Sequence, residues 1–222
     1  MKIKYSFPMK EFLVWKGRIG ERLVEHYIRN VLIPALKKKE RYDDVIYSPA
    51  WFYAQTAWIK EFELKFLLSK GFVPTRMFLN DFKILTKTLE NQPDGFLIKM
   101  RKTGKNKSWQ EALKILKGDT GSYSWRIGFR DQVKKVFEFD PSMRNKKDLL
   151  PIVEGDVEVV EIKTDKSNLA PNQIMSYTNV LLRGYALRLF KVNIVSFEKN
   201  DYEIEEKVIT KEFLCAEKDE DR

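Results

Sequence analysis

Two charged side chains stand at the end of an otherwise apolar stretch, in the segment VEVVEIKTD that runs from residue 157 to residue 165. Side chains on a β-strand alternate between its two faces, so Glu161 and Lys163 project to one side while Ile162 projects to the other. A carboxylate beside an ammonium group can be a surface ion pair, or it can be part of a metal-dependent active site. The other residues capable of chemistry must decide between these two interpretations.

Three further motifs carry side chains of the same chemical kind. In GRIGERL, Glu21 follows Gly20 near the beginning of a predicted helix, where glycine allows another backbone or a phosphate to approach closely. In PDG, Asp94 stands at the beginning of a predicted strand. In NQIMSY, Gln173 and Tyr177 are four residues apart, so both lie on one face of the helix predicted after the strand that carries the ion pair.

The spacing of apolar residues predicts the elements that must position these motifs. Residues 15–39 have helical spacing with a break expected at Pro34, and residues 50–71 form a second predicted helix. Short strands are predicted at 44–48, at 73–79, at 82–89 and at 96–101. A helix with Pro171 in its first turn is predicted from about 170 to 183, and two more strands follow. This order predicts an α/β fold with a mixed central β-sheet flanked by helices.

Length and composition limit the class of protein. With 222 residues, we expect a single domain spanning 1–222, with an insertion or lid at about 101–150 and an acidic tail at 216–222. A hydrophobic content of 43% and a charged content of 33% favour a globular chain over a disordered one. No apolar run approaches the roughly 20 residues of a membrane span. The single cysteine, Cys215, excludes an internal disulfide, and we expect an intracellular location.

Net charge points to a class of partner. Lysine and arginine outnumber aspartate and glutamate by 41 to 32, which gives a formal charge of +9. A basic protein of this kind most often binds nucleic acid, although the same charge also occurs in basic proteins without such a partner. The cations that we predict to contact DNA are Lys105, Lys107, Arg126, Arg130 and Lys166.

Taken together, the motifs resemble those of the PD-(D/E)XK nuclease superfamily, which has a restriction-endonuclease-like core. Asp94 in PDG matches the first signature acid, Glu161 and Lys163 in EIK match the second half of the signature, and Glu21 looks like the helical acid of that superfamily. NQIMSY is similar to the glutamine and tyrosine element of the RecB and lambda-exonuclease branch. The length, basic charge and insertions also resemble a nuclease-like protein of archaeal spindle-shaped viruses. The resemblance extends over roughly residues 17–198.

The resemblance implies a metal-dependent DNA nuclease that hydrolyses phosphodiester bonds in replication, repair or recombination. Its cofactor would be Mg²⁺ or Mn²⁺, held by the carboxylates of Asp94 and Glu161 and by the carbonyl group of Ile162, since hard cations prefer oxygen ligands. Its partner would be DNA, and a homodimer is expected because cutting two strands of a junction requires two sites. If the chain is viral, the expected location is the cytoplasm of the host cell.

The resemblance also implies roles for the remaining motif residues. Glu21 would hold a metal-bound water or a second metal ion. Lys163 would orient the attacking water or stabilise charge on the phosphate. Gln173 and Tyr177 would fix the lysine or a DNA phosphate, although packing and capping roles are equally compatible with their positions.

The distance in sequence between the two signature acids leaves alternatives open. Between Asp94 and Glu161 lie 66 residues, where the superfamily usually has a short hairpin. Either an insertion separates them and returns above the site as a substrate clamp, or the second acid is Asp140 or Asp156. Two other functions also remain open: a basic DNA-binding protein with a nuclease-like fold and an incomplete site, and a structural or interaction protein.

Overall fold

A computed structural model describes residues 9–49, 62–108, 111–112, 149–165, 167–196 and 201–212. Within these ranges, a six-stranded mixed sheet is flanked by helices on both faces, which confirms the α/β class with a mixed central sheet. The strands are β1 (Asp44–Pro49), β2 (Val73–Pro74), β3 (Gly95–Ser108), β4 (Leu149–Thr164), β5 (Ala186–Ser196) and β6 (Asp201–Ile209).

The sheet is centred on β4. The strand order is β1-β3-β4-β5-β6, with β2 paired to the first part of β4. β3 is antiparallel to both β1 and β4, whereas β5 is parallel to β4 and β6 is antiparallel to β5. The end of β4 therefore lies between β3 and β5, where residues of both neighbours can reach it.

The helices are α1 (Met9–Tyr27), α2 (Ile33–Lys39), α3 (Phe62–Ser69), α4 (Arg76–Thr88) and α5 (Pro171–Leu182). A π-helical turn, Ile28–Leu32, joins α1 to α2 immediately before Pro34, so the helix is interrupted where the proline predicted a break. None of the described helices combines the length and the apolar character that a membrane crossing requires.

Residues 76–88 form a helix, and the two strands predicted at 73–79 and 82–89 are therefore wrong for most of their length. The hydroxyl of Thr75 caps α4 by accepting a hydrogen bond of 3.3 Å from the backbone N–H of Phe78. Phe78, Phe82 and Leu85 follow helical spacing and are all buried. The aromatic residues favoured a strand, but their spacing fits one buried face of a helix.

Hydrophobic cores lie on both faces of the sheet. On one face, α1 and α2 pack through buried residues that include Val24, Ile28, Leu36, Leu97 and Val160. On the other face, α4 and α5 pack through buried residues that include Phe82, Phe96, Val159 and Tyr177. The side chains of β4 alternate between these two cores, so a one-residue difference in position decides which core a residue joins.

β3 and β4 form a long antiparallel hairpin, which changes the predicted limits of the insertion. Their register runs from Gly95 opposite Val160 to Ser108 opposite Leu149. Residues 101–108 and 149–150 thus belong to strands, and the connection between them comprises residues 109–148. Residues 113–148 lie outside the described ranges, so their predicted role as a lid stays a prediction.

Four charged side chains, three of them buried, form an ion-pair ladder across the α1 face of the sheet. Lys99 of β3 contacts Glu158 of β4 at 2.6 Å, and Arg188 of β5 contacts the second oxygen of Glu158 at 2.7 Å. Arg188 also pairs with Glu206 of β6, whose carboxylate accepts a hydrogen bond from Tyr27 of α1. Each strand from β3 to β6 contributes one member, so the ladder fixes the lateral order of the sheet beneath α1.

Candidate active site

The hairpin of β3 and β4 brings the two signature acids together. Gly95 pairs with Val160, so Asp94, which precedes β3, stands opposite Glu161. Residues opposite one another in an antiparallel pair project to the same face. The Oδ2 atom of Asp94 accepts a hydrogen bond of 2.6 Å from the backbone N–H of Ile162, which fixes the aspartate against the end of β4.

Glu161 lies in a buried network. Its side chain is only 2% exposed, and its Oε1 atom contacts the Nζ of Lys163 at 2.7 Å and the Nε2 of Gln173 at 2.8 Å. Its Oε2 atom accepts a short hydrogen bond from the hydroxyl of Tyr177. The interpretation of Glu161 and Lys163 as a solvated surface pair is therefore wrong, because the glutamate is buried and three side chains of the protein hold it.

Gln173 joins the beginning of α5 to the ion pair. Its Oε1 atom accepts hydrogen bonds from the Nζ of Lys163 at 2.9 Å and from the backbone N–H of Ala170 at 3.1 Å. One side chain thus both caps the helix and positions the lysine and glutamate of β4. Tyr177 is 1% exposed, and burial together with the charge of Glu161 raises its pKa, so it remains a neutral donor.

The two carboxylates repel each other. Burial, followed by the negative charges of Glu161 and Glu21, raises the pKa of Asp94 to about 7, against the opposing effects of the Ile162 N–H and Lys163. At neutral pH, the donors around this end of the sheet do not fully balance the charge of the pair. A proton or a cation would supply the missing positive charge.

This electrostatic imbalance predicts a pH-dependent effect of Asp94→Asn on stability. The folded-state pKa is raised from 3.8 to about 7, so ionisation in the folded state is unfavourable, and its cost grows between these values and is complete above pH 7. Asparagine cannot ionise but can still accept the Ile162 hydrogen bond. In EDTA, we expect the variant to be more stable than the parent at pH 8, on the order of a few kcal/mol, with the difference shrinking towards pH 4. Thermal unfolding at both pH values measures this effect, and equal differences at both values would contradict it.

A solvent-filled cleft separates the carboxylate pair from α1. Its volume is about 460 Å³, and the residues that line it are Arg18, Glu21, Arg22, Glu25, Tyr47, Pro49, Gln92 and Asp94. Glu21 is exposed on the α1 side of this cleft, opposite Asp94. Burial, followed by the negative charges of Asp94, Glu25 and Glu21, raises the pKa of Tyr47. The cleft therefore has both acids and arginines in its lining, with three carboxylates near the Tyr47 hydroxyl.

Several residues of the cleft were not predicted from the sequence. Arg18, Arg22 and Glu25 stand three, one and four residues from Glu21, which places all four on one side of α1. Glu25 pairs with Arg22 at 3.0 Å and with Arg29 at 3.0 Å. A polar stripe on a helix whose other face is apolar was the available signal. Tyr47 had no comparable signal, because an aromatic residue in an apolar strand is the ordinary pattern of a core.

Gly20 allows α1 to approach the end of β4. A Cβ atom at this position would lie 2.3 Å from Cγ2 of Thr164, whereas a Cβ atom at Gly17 would meet nothing within 4 Å. We expect Gly20→Ala to destabilise the fold by about 1–3 kcal/mol through overpacking, and Gly17→Ala, three residues earlier on the same helix, to stabilise it by about 0.5–1 kcal/mol. Urea unfolding of both variants measures the contrast. Equal stabilities would exclude close packing at Gly20.

Asp156 and Asp140 are the alternatives to Asp94 as the acid that joins Glu161. Asp156 precedes Glu161 by five residues on β4 and therefore projects to the other face of the sheet, where its carboxylate accepts a hydrogen bond of 3.0 Å from Tyr42. It cannot share a cation with Glu161, so this alternative is wrong. Asp140 lies outside the described residues.

Two of the predicted DNA contacts, Lys105 and Lys107, lie away from the site. Lys105 and Lys107 lie in the distal part of β3, eleven and thirteen residues from Asp94, which corresponds to more than about 30 Å along the strand even with the irregularity between Lys102 and Asn106. The expected clamp is wrong for these two lysines, because the hairpin carries them away from the carboxylates. Arg126, Arg130 and Lys166 lie outside the described residues, and DNA binding by all five stays a prediction.

In the part of the chain that the structure describes, Asp94 and Glu161 are the two acids placed to hold a metal ion together. Within the described ranges, no three histidine, cysteine, aspartate or glutamate side chains come close enough together to form a metal-binding group. Asp94 and Glu161 offer carboxylate oxygens, and the carbonyl group of Ile162 belongs to the residue whose N–H already holds Asp94. This donor set suits a hard cation that retains several waters, such as Mg²⁺.

Comparisons with protein-family models, with curated protein sequences and with solved structures found no match to this chain. The motif resemblance therefore remains a hypothesis.

Proposed function

We propose that this protein is a Mg²⁺- or Mn²⁺-dependent deoxyribonuclease of the PD-(D/E)XK type. The observation that carries the proposal is the convergence of Asp94, Glu161 and Lys163 at one end of the sheet, although 66 residues separate the two acids in sequence. A structural surface pair does not require a second acid opposite Glu161 or a buried tyrosine and glutamine around it. A site for a cation and a phosphate requires such an arrangement.

The two acids have the chemistry to hold the cation. Asp94 and Glu161 present oxygen donors on the same face, and the raised pKa of Asp94 reflects negative charge that a cation would neutralise. A divalent cation bound there would polarise a phosphoryl oxygen and lower the pKa of a coordinated water. The protein contributes rigidity, because the Ile162 N–H fixes one acid and α5 fixes the other.

Besides the cation, the proposed site has a positive charge from a side chain, the ammonium group of Lys163. Glu161 and Gln173 hold its Nζ atom at 2.7 and 2.9 Å, so the ammonium group is oriented before substrate arrives. Its side chain is 14% exposed, which leaves one side of the group accessible. An oriented ammonium group can stabilise the charge that develops on the phosphate during hydrolysis. Glu21, across the cleft, can accept a hydrogen bond from a water close to Asp94.

Cleavage assays with the purified protein test this proposal. End-labelled linear duplex, supercoiled plasmid, branched DNA and single-stranded RNA are incubated with Mg²⁺, with Mn²⁺, with Ca²⁺ and with EDTA. We expect cleavage of at least one DNA substrate with Mg²⁺ or Mn²⁺ and none with EDTA. An absence of cleavage on every DNA substrate in both metals, from a folded protein, would reject the nuclease.

A second candidate is a basic DNA-binding protein that has this arrangement but an incomplete site. One observation favours it: no third acid joins Asp94 and Glu161 in the described part of the chain, and both oxygens of Glu161 already bind protein donors. This candidate predicts salt-dependent duplex binding without cleavage in any metal. Binding and cleavage measured on the same DNA therefore separate the two functions.

A further inference from the structure

We infer that a basic surface at the opposite end of the sheet is a second contact for duplex DNA, slightly less than one helical turn from the candidate active site. This inference rests on the proposed DNA substrate. The distal basic surface consists of six exposed cations from the end of α2, the turn after it and the distal part of β3: Lys38, Lys39, Arg41, Arg101, Lys102 and Lys105.

The turn between α2 and β1 makes this surface continuous. The backbone N–H of Asp43 donates to the carbonyl of Met100 at 2.9 Å, and the Asp43 carboxylate accepts the backbone N–H of Lys102 at 2.6 Å. The guanidinium of Arg101 lies 4.7 Å from the centre of the Tyr42 ring. These contacts hold the backbone of β3 against the turn after α2 and place Arg101 on the same face as the α2 cations, whereas Lys102, one residue later, projects from the opposite face at the edge of the sheet.

The acids in the same region mostly have partners of their own. Glu40 contacts Lys99 at 3.5 Å, Asp44 contacts Lys37 at 2.6 Å, and Asp43 accepts the Lys102 N–H. Asp156 accepts a hydrogen bond from Tyr42, and Glu154 stands opposite Arg101 on β4. The six cations of the distal basic surface have no ion pair with these acids among the contacts of the described residues. Asp43, Glu154 and Asp156 keep their negative charges, so six exposed cations stand against three exposed carboxylates, and the net positive charge of the region suits a row of phosphates.

Helix geometry and strand geometry give the same distance between the candidate active site and the distal basic surface. From Glu21 to Lys39, the α1–α2 helical segment advances 18 residues, or about 27 Å at 1.5 Å per residue. From Asp94 to Lys102, β3 advances eight residues, or about 27 Å at 3.4 Å per residue. Base pairs are spaced about 3.4 Å apart, so this span corresponds to about eight base pairs of duplex.

The surface between the two ends also carries cations. Arg22 and Arg29 lie seven residues apart on α1 and on the π-helical turn that follows it, and their side chains are 77% and 51% exposed. Both pair with Glu25, whose negative charge lowers the local net charge, but the guanidinium groups stay at the surface. A duplex lying along α1 and α2 would thus meet positive charge at the cleft, at its midpoint and at the distal basic surface. Contacts of this kind fix position and orientation and carry no base specificity.

Binding of duplexes of two lengths tests the inference. Fluorescence anisotropy in EDTA, where no cleavage occurs, compares a duplex of about 8 bp with one of about 24 bp, which can reach both ends of the path. We expect the parent protein to bind the longer duplex at least tenfold more tightly after correction for the number of overlapping sites.

A triple variant and a charge-matched control identify the surface. Lys38→Gln, Lys39→Gln and Lys105→Gln together should remove most of the length dependence. They should also make the slope of log affinity against log salt on the long duplex less negative by up to about 2.7, since each phosphate contact contributes about 0.9. The control replaces three exposed lysines outside the path, Lys70, Lys87 and Lys211, with glutamine and carries the same net charge. It should retain the length dependence.

Every outcome bears on the inference. Length dependence that disappears only in the distal variant supports it, even if the protein never cleaves DNA. Equal losses in the two triple variants would show that net charge alone is responsible and would overturn it. A parent protein that binds both lengths equally, or binds neither, would also overturn it. If the parent protein cleaves DNA with Mg²⁺ but shows no length dependence in binding, the proposed nuclease activity is supported and only the distal DNA contact is rejected.

Discussion

Lys163→Ala is expected to lower the rate of Mg²⁺-dependent DNA cleavage by at least about 100-fold, the usual cost of removing one preorganised group that stabilises the charge of a transition state. The reason is the fixed position of the Lys163 ammonium group between Glu161 and Gln173 at the mouth of the site. Single-turnover cleavage of a labelled duplex measures the chemical step. Duplex affinity in EDTA should change little, because a single partly buried cation contributes only a small part of the electrostatic binding.

Glu161 requires a conservative replacement. Glu161→Ala would leave the hydroxyl of Tyr177 and the ammonium of Lys163 without their buried partner, and unpaired buried polar groups cost about 1–3 kcal/mol each. Glu161→Gln keeps the shape and one acceptor oxygen and removes the charge. We expect this variant to fold and to lose cleavage as severely as Lys163→Ala.

The control for both variants is Lys70→Ala, which removes an exposed lysine distant in sequence from every motif of the site. It should cleave at the parental rate. Undiminished cleavage by Lys163→Ala or by Glu161→Gln would remove that residue from the mechanism. Loss of cleavage in Lys70→Ala would show that the assay responds to surface charge instead of to the site.

The second large effect is expected in the ion-pair ladder. Glu158 is held by Lys99 and Arg188, and all three side chains are almost fully buried. Glu158→Ala would leave two buried cations facing each other without the anion they share, and only the partly exposed Glu206 and Glu40 would still contact Arg188 and Lys99. We expect the free energy of unfolding to fall by about 3–5 kcal/mol. Urea unfolding at pH 7 measures this change, and a loss below about 1 kcal/mol would contradict it.

The triple replacement Lys99→Met, Glu158→Leu, Arg188→Met provides the matched control. Replacing buried ionic groups by apolar residues of similar volume is often neutral or stabilising, and Glu206, the partly exposed fourth member, loses Arg188 but keeps the hydrogen bond from Tyr27. The triple variant should therefore recover most of the stability that Glu158→Ala loses. If both variants are equally unstable, the loss comes from packing at this position and not from unpaired charge.

The ladder also predicts a dependence on pH. Burial alone would raise the pKa of Glu158, but the hydrogen bonds and charges of Arg188 and Lys99 outweigh it, so its pKa is lowered below 4.5. The stability contributed by Glu158 is present above the unfolded pKa and is lost as the pH falls through the folded pKa. The stabilities of the parent and Glu158→Ala should therefore converge in acid. A constant difference down to pH 2 would contradict this cause.

The positions of the central elements could be predicted because their local patterns were strong. The apolar run before Glu161 predicted β4, the proline at 171 predicted the beginning of α5, and Gly20 predicted a close approach that occurs at Thr164. The face shared by Glu161 and Lys163 followed from alternation along the strand. Each of these inferences used neighbours within a few residues.

Other features depend on long-range pairing, which local patterns do not encode. The burial of Glu161 depends on Tyr177 from another element, and the meeting of Asp94 with Glu161 depends on a register established across 66 residues. The position of Lys105 far from the site follows from the length of the hairpin, which residues 101–108 extend instead of leaving the sheet. The partners of Lys99 likewise come from two elements distant in sequence: Glu158 from β4, and Glu40 and Tyr42 from the turn between α2 and β1.

The central claim is that Asp94 and Glu161 together hold one divalent cation. Mn²⁺ binding measured by electron paramagnetic resonance on the DNA-free protein tests it without requiring cleavage. We predict that the parent protein and Asp156→Asn bind about one Mn²⁺ per chain with similar affinity, whereas Asp94→Asn binds it at least about tenfold more weakly, because one of two carboxylate ligands is lost. Equal Mn²⁺ affinity in the parent and Asp94→Asn, or no binding by the parent, would contradict the account.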